Sequence, residues 1–189
     1  LDDLGDSPSS QEIMLAGLFN HQNFLEILQN FTIFEPEGGR IIKKIPRYQQ
    51  FRAVHKTIER LKTGKTSKHK SGVIWHTQGS GKSLTMVFLT VKMRRDPELR
   101  DYKLVFLTDR TQLDTQLTST FKHAQDETIH HADSVKSLKE LLESDSSGII
   151  TAMVQKFQEK TGASNFPVLN ESEKIIVLAD EAHRTQYGT

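Results

Sequence analysis

Residues 174–183 read Lys-Ile-Ile-Val-Leu-Ala-Asp-Glu-Ala-His, and upstream of them residues 77–83 read Thr-Gln-Gly-Ser-Gly-Lys-Ser; together they decide the fold. An unbroken apolar run ending in two carboxylates is the pattern of a strand buried on both faces with a polar tip, where open α/β sheets bind ligands. A glycine-rich loop closed by Lys-Ser is the pattern of a phosphate cradle. Small residues let successive N–H groups converge, and the helix that follows presents its positive end. In this order the two stretches describe one nucleoside triphosphate device. Lys82 reaches the β- and γ-phosphates, and Ser83 coordinates Mg2+. Asp180 holds the metal directly or through water, and Glu181 orients or deprotonates the attacking water.

The loop departs from the strict G-x-x-x-x-G-K-[ST] pattern, because His76 stands where the first glycine is expected. A dinucleotide site is excluded on the same residues. Its third glycine would fall at Leu84, and the Lys-Ser pair would be left without a purpose.

Around the loop the pattern alternates strand and helix. Gly72–His76 is predicted to be a short buried strand and 82–95 a helix with Leu84, Val87, Phe88 and Val91 inward. Lys103–Thr108 is an apolar strand, followed by a helix from about Gln112 to Phe121. Ser134 opens another helix, and 148–152 and 174–179 are further strands. Alternation of this kind predicts a parallel sheet covered by helices on both faces, an α/β fold. Before it, residues 10–18 and 21–31 have helical patterns, and Glu35-Pro36-Glu37-Gly38-Gly39 has turn chemistry. Residues 40–45 suit a short strand. Pro46 suits the first position of a helix whose apolar face is Tyr48, Phe51, Val54, Ile58 and Leu61, ending near Gly64.

The chain has 189 residues, enough for one domain with a real core. It contains no cysteine, which excludes a disulfide scaffold and fits a reducing cytoplasm. No apolar run approaches the roughly 18 residues of a membrane span, so no membrane partner is expected. The net charge is +1, yet residues 40–70 hold eleven Lys/Arg against the single Glu59, a net +10, leaving −9 for the rest. Such a block is either a phosphate-facing surface or a solvated helix face followed by a lysine-rich loop. His123, His130, His131 and His183 lack partners at metal spacing and are read as no zinc site.

Asp180-Glu181-Ala182-His183 resembles motif II of superfamily 2 helicases and translocases, and the wider wording resembles the motor (R) subunit of type I restriction enzymes. The likeness is carried by Arg47–Val54 (Arg-Tyr-Gln-Gln-Phe-Arg-Ala-Val) and Trp75–Ser83. It is carried further by Phe106-Leu107-Thr108-Asp109-Arg110 with Leu113 and Gln116, by Gln155-Lys156-Phe157, and by Ala179–Gly188. It extends from about Phe19 to the end.

The resemblance implies a RecA-like lobe using ATP and Mg2+, with Thr77, Gln78, Gly79, Ser80, Gly81, Lys82 and Ser83 around the phosphates. It implies Arg47 and Gln50 toward the base, Gln50 reading the adenine edge with Gln49 as second choice. Arg110 and Lys156 would approach the DNA backbone, and His183 and Arg184 would couple the two sites. Such subunits translocate double-stranded DNA, assemble with methyltransferase and specificity subunits, and cut unmodified DNA remote from the recognition site. Residues 1–45 then form a helical lead-in from a nuclease domain, and 46–189 the first RecA-like lobe, with a second lobe expected beyond. Glu159-Lys160 and Glu173-Lys174 are isolated pairs and form no nuclease site. On this reading the chain alone binds Mg-ATP weakly and hydrolyses it poorly. Three alternatives remain open: another superfamily 2 motor, a docking module with a vestigial ATP site, and a P-loop ATPase acting on something other than DNA.

Overall fold

The computed structural model describes residues 7–77, 79–108, 129–144, 146–153 and 168–180. The sheet is built around β3 (Lys103–Thr108). It has β5 (Ile149–Met153) on one side and β6 (Ile175–Ala179) on the other, with β4 (Ile129–Ala132) outside β5. All three pairings are parallel, with Val105 opposite both Ile150 and Val177.

Alternate residues of each strand serve two cores, as a period of two requires. Leu104, Phe106 and Ile149, with Ile176 and Leu178 partly buried, face α5 (Lys82–Arg95) through Val87, Phe88, Leu89 and Val91. Val105, Ile150 and Ala152, with Leu107, face α6 (Val135–Glu143) through Leu138, Leu141 and Leu142. The result is the helix-covered α/β sheet expected from the sequence. No helix among the described residues is long and apolar enough to cross a membrane.

Two cations, the buried Lys103 and the half-buried Arg94, fix the ends of these helices at one edge of the sheet. Lys103 Nζ donates to the carbonyls of Leu141 and Leu142 at 2.7 and 3.1 Å and to that of Ser144, so an ammonium closes the C-terminus of α6. Arg94, in the last turn of α5, donates to the carbonyls of Arg100 and Tyr102 before β3, and to that of Ser147 before β5, at 2.6–2.7 Å. Both helices therefore finish where the strands begin.

The lead-in is α1 (Ser10–Phe19), closed by a Ser9/Glu12 capping box, and α2 (His21–Asn30), capped by Asn20. An antiparallel hairpin follows, β1 (Ile33–Glu37) and β2 (Arg40–Lys44). Positive φ at Gly38 (59°) and Gly39 (77°) is what a two-residue type I′ turn needs. The turn is thus shorter than expected: Glu35, Pro36 and Glu37 belong to a strand.

Then come α3 (Tyr48–Thr63), with Arg47 as its N-cap and Gly64 as its C-cap, and one-turn α4 (Ser67–Lys70). Pro46 stands one residue before the cap rather than at the first helical position. Val54, Ile58 and Leu61 are buried as expected, but Tyr48 is 74% exposed at the open end of the helix.

Phe31 joins the lead-in to the lobe, fully buried against Phe51, His55 and Phe88. Beside it the Glu26 carboxylate receives Lys92 and, at 3.0 Å, Asn30. Burial alone would raise the Glu26 pKa, yet these hydrogen bonds, with the charges of Lys92 and His55, hold it below the ordinary value.

One expected strand is absent. Gly72–His76 forms no ladder with the other described residues, and Val73 is 95% and Trp75 90% exposed. A strand needs a paired edge. Here β6 pairs only with β3 among the described residues, which leaves this segment without a paired strand among them. Conversely β4, with His130 and His131, has no periodic signal in the sequence and forms by pairing with β5. The helix expected from Gln112 lies outside the described residues.

Candidate functional site

Lys82 is the first residue of α5, and Gly81 is its N-cap, left-handed at φ 88°. Gly79 is also left-handed, at φ 75°, and a Cβ there would meet nothing within 4 Å, so the loop opens outward at that point. Behind it the Thr77 carbonyl accepts the Ser80 hydroxyl at 2.6 Å and the Ser80 N–H at 3.2 Å, which folds the loop back on itself. At the Gly81 cap the place of a side chain is taken by the Gln50 amide, whose Nε2 lies 2.6 Å from where a Cβ would stand, and the N-terminal N–H groups of α5 are the donors that suit an anionic ligand.

Asp180 follows β6 directly. Its N–H adds one more rung to the sheet, donating to the Leu107 carbonyl at 2.8 Å, and the residue is 7% exposed. It therefore stands at the C-terminal edge of the sheet. The loop reaches the same edge by another route. Arg94 pins the end of α5 to the N-terminal edge, and α5 has 14 residues, about 21 Å at 1.5 Å per residue. The 6-residue β3 beneath it spans about 20 Å. Lys82 and Ser83, at the other end of α5, thus share the C-terminal edge with Asp180. Helix and strand run opposite ways with nearly equal lengths, which sets these residues from distant parts of the sequence toward the same edge.

A metal fits this donor set in one way. Among the described residues no group of three His, Cys, Asp or Glu side chains gathers, so no protein-only cage exists there. Ser83 and Asp180 could offer one hydroxyl and one carboxylate. That matches Mg2+, which keeps several waters and completes its shell with phosphate oxygens rather than with a full set of side chains.

Beside the loop lies a cavity of about 1320 Å³. Thr77 and Ser80 border it at the loop, Val73–His76 and α3 form one wall, and Ile175–Leu178 of β6 form the other. Lys82, Ser83 and Asp180 are not among its lining residues. The basic block divides around it: Arg47, Arg52, Lys56, Arg60 and Lys70 line the cavity. Lys44 instead pairs with Glu35 at 2.6 Å, and Lys62 with Asp96 at 2.6 Å. The block is partly a face and partly internal clasps, neither of the two readings alone.

Gln50 is 2% exposed. Its Oε1 accepts the Arg47 N–H at 2.8 Å and its Nε2 donates to the Gly81 carbonyl at 3.0 Å. Thr85, which sequence reasoning does not single out, also bonds that carbonyl through its hydroxyl at 3.2 Å. A hydroxyl bonding back to the carbonyl four residues earlier in a helix is the only local signal that could have suggested it. Gln78, Arg110, Lys156, Glu181, His183 and Arg184 lie outside the described residues.

A family model of SWI2/SNF2 ATPases matches residues 49–189. The chain is 40% identical over 98% of its length to a putative type I restriction enzyme MjaIXP endonuclease subunit of Methanocaldococcus jannaschii, covering 18% of that protein. It is 38% identical over 93% of its length to the type I restriction enzyme HindI endonuclease subunit of Haemophilus influenzae, covering 17% of it. A second M. jannaschii protein, the putative MjaVIIIP endonuclease subunit, is 30% identical over 90% of the chain and 19% of its own length. The chain thus spans less than a fifth of the curated relatives it matches.

Proposed function

The chain belongs to the SWI2/SNF2 ATPase family, and from that premise we propose that it is the ATP-binding lobe of a type I restriction endonuclease motor subunit. In this reading ATP hydrolysis drives translocation of double-stranded DNA before unmodified DNA is cut. The observation that carries it is the shared sheet edge: a glycine-capped helix N-terminus with Lys82 and Ser83 beside the carboxylate that ends β6.

Each residue there has a task set by its chemistry. The loop at Gly79–Gly81 and the start of α5 receive the triphosphate, and Lys82 offsets charge on its β- and γ-oxygens. Ser83 Oγ and the Asp180 carboxylate hold Mg2+. When bound, the ion neutralises charge that develops on the transferred phosphoryl oxygens. Burial of Asp180 next to β3 fixes its carboxylate in place, so little reorganisation remains at the moment of reaction. Glu181 orients the attacking water. Arg47 and Gln50, at the start of α3 against the loop, lie toward the adenine. Arg110 and Lys156 contact DNA, and His183 and Arg184 couple that contact to the ATP site. Methyltransferase and specificity subunits complete the assembly, in the cytoplasm.

The test is ATP hydrolysis by the full-length protein assembled with its partner subunits, with and without unmethylated duplex DNA carrying the recognition site. Stimulation that disappears when the duplex is methylated supports a restriction motor. Stimulation by any duplex supports a different DNA motor, and indifference to duplex removes the DNA role. Lys82→Ala is expected to lower ATP turnover at least about a hundredfold, as loss of a charge-stabilising donor does in other enzymes. Unchanged nucleotide binding and turnover in that variant would sink the site assignment.

A further inference from the structure

We infer that the lead-in is held to the lobe by an acid-sensitive latch, in which the Glu26 carboxylate of α2 clasps Lys92 of α5 and protonation of His55 on α3 releases it.

The lead-in meets the lobe through a small seam. α1 has no buried residue and α2 buries only Asn30, so the apolar anchors are Phe31 and Ile33, which follow α2. Around Phe31 the polar contacts gather on one atom. Glu26 Oε1 receives Lys92 and, at 3.0 Å, the Asn30 amide, and His55 Nε2 stands 3.8 Å away. Lys92 Nζ also lies 5.9 Å from the centre of the Phe31 ring.

His55 is wedged in this seam. Its ring stacks on Phe31, with 5.7 Å between centres and 18° between planes, and tilts against Phe51 at 4.3 Å. Although 39% of the side chain is exposed, Nε2 is sealed from water and has no hydrogen-bond partner among the described residues. The charged groups facing it are Glu26 from α2 and Lys92 from α5, with Arg95 of α5 reaching Asn30 at 3.5 Å. On α3 itself Arg52 and Glu59 stand about one turn to either side.

Burial holds the His55 pKa below its ordinary value, and the Lys92 charge adds to this against the pull of Glu26. The neutral ring is therefore the form that the closed seam accepts. An imidazolium carries an N–H on both nitrogens, so its Nε2 would need an acceptor. The carboxylate oxygen facing it is too far for a bond and already serves two donors. To satisfy the cation, either Glu26 leaves Lys92 or the ring turns out, and both open the seam.

With the closed-state pKa lowered, the seam keeps its full strength above the ordinary histidine value of 6.5 and weakens as pH falls below it. A single proton is involved, so the open fraction rises at most about tenfold per pH unit. Glu26 acts in the same direction but lower. Burial favours its neutral form, yet the bonds from Lys92 and Asn30 outweigh burial and hold its pKa down. Its clasp therefore fails only as pH falls below the ordinary 4.5. Between these two values the imidazole governs the latch.

Hydrogen exchange of the full-length protein reads the latch, as protection of peptides spanning 21–33 relative to β3 in the same sample. From about pH 7.5 to about pH 5.5, wild-type protection of 21–33 is expected to fall about three- to tenfold while β3 holds. His55→Phe keeps a ring in the stack and cannot titrate. His55→Gln removes the titration without a ring, should phenylalanine not fit. In either variant the fall is expected to vanish. Glu26→Gln removes the charge that holds Lys92 and is expected to lower protection about tenfold at both pH values. Wild-type protection that ignores pH overturns the latch. So does a fall that survives in the histidine variants, since another group then titrates. A fall shared by β3 marks loosening of the whole lobe and overturns it too, and unchanged protection in Glu26→Gln removes the clasp on which it depends.

Discussion

Two short apolar segments, 72–77 and β3, each lead toward the sheet with similar composition, and they end in opposite environments. β3 has a strand on either side and a helix on either face, and Leu104, Val105 and Phe106 are at most 1% exposed. Segment 72–77 has the same β-branched and aromatic character, yet Val73 and Trp75 are 95% and 90% exposed. Apolar composition makes a stretch able to be a strand; only hydrogen-bonding edges on its flanks make it one. The same rule explains β4, which has little strand signal and forms because β5 offers an edge.

The contrast can be tested at three magnitudes. Phe106→Ala empties a fully buried site between β3 and α5 and is expected to destabilise the protein by about 3–5 kcal/mol, read from chemical denaturation. A loss near zero there would mean that β3 is not the centre of the core. Next comes the edge that fixes the helices. Lys103→Met keeps the apolar stem but leaves the carbonyls of Leu141, Leu142 and Ser144 without their shared donor, at an expected loss of about 1–3 kcal/mol. The smallest effect belongs to the outlying segment: Trp75→Ala should change stability by no more than about 0.5 kcal/mol. A loss approaching that of Phe106→Ala would show that residues 72–77 lie inside a sheet after all, and the comparison would fail.

What could be read beforehand follows the same division. β3, α5, β5 and β6 were legible almost to the residue, because an apolar run buried on both faces and a helix opening at Lys82 each satisfy local and global demands together. The helix opening at Ser134 was legible, and Ser134 proves to be its cap, its hydroxyl accepting from the Ser137 N–H. The hairpin was half legible. Gly38-Gly39 announced a turn, but its two-residue length, which forces Ile33–Glu37 to pair with Arg40–Lys44, was not drawn from it.

Of the site, Lys82, Ser83 and Asp180 were named by residue type and spacing; the fold sets Lys82 and Ser83 at the start of α5 and Asp180 directly after β6. The bond from Gln50 to Gly81 was not legible, since it spans 31 residues and depends on the angle at which α3 meets the loop. The placing of Lys44 and Lys62 in ion pairs likewise depends on acidic partners supplied by other elements, which a count of charges cannot show.

Trp75 is the chain's single tryptophan, and it stands in water two residues before Thr77. The protein therefore carries its own fluorophore beside the phosphate loop, with no competing indole in this chain. Its emission begins at the red, fully hydrated end of the range. Any event that draws the segment into a dry environment, whether a nucleotide settling in the loop or a strand closing over β6, has only one direction in which to move it.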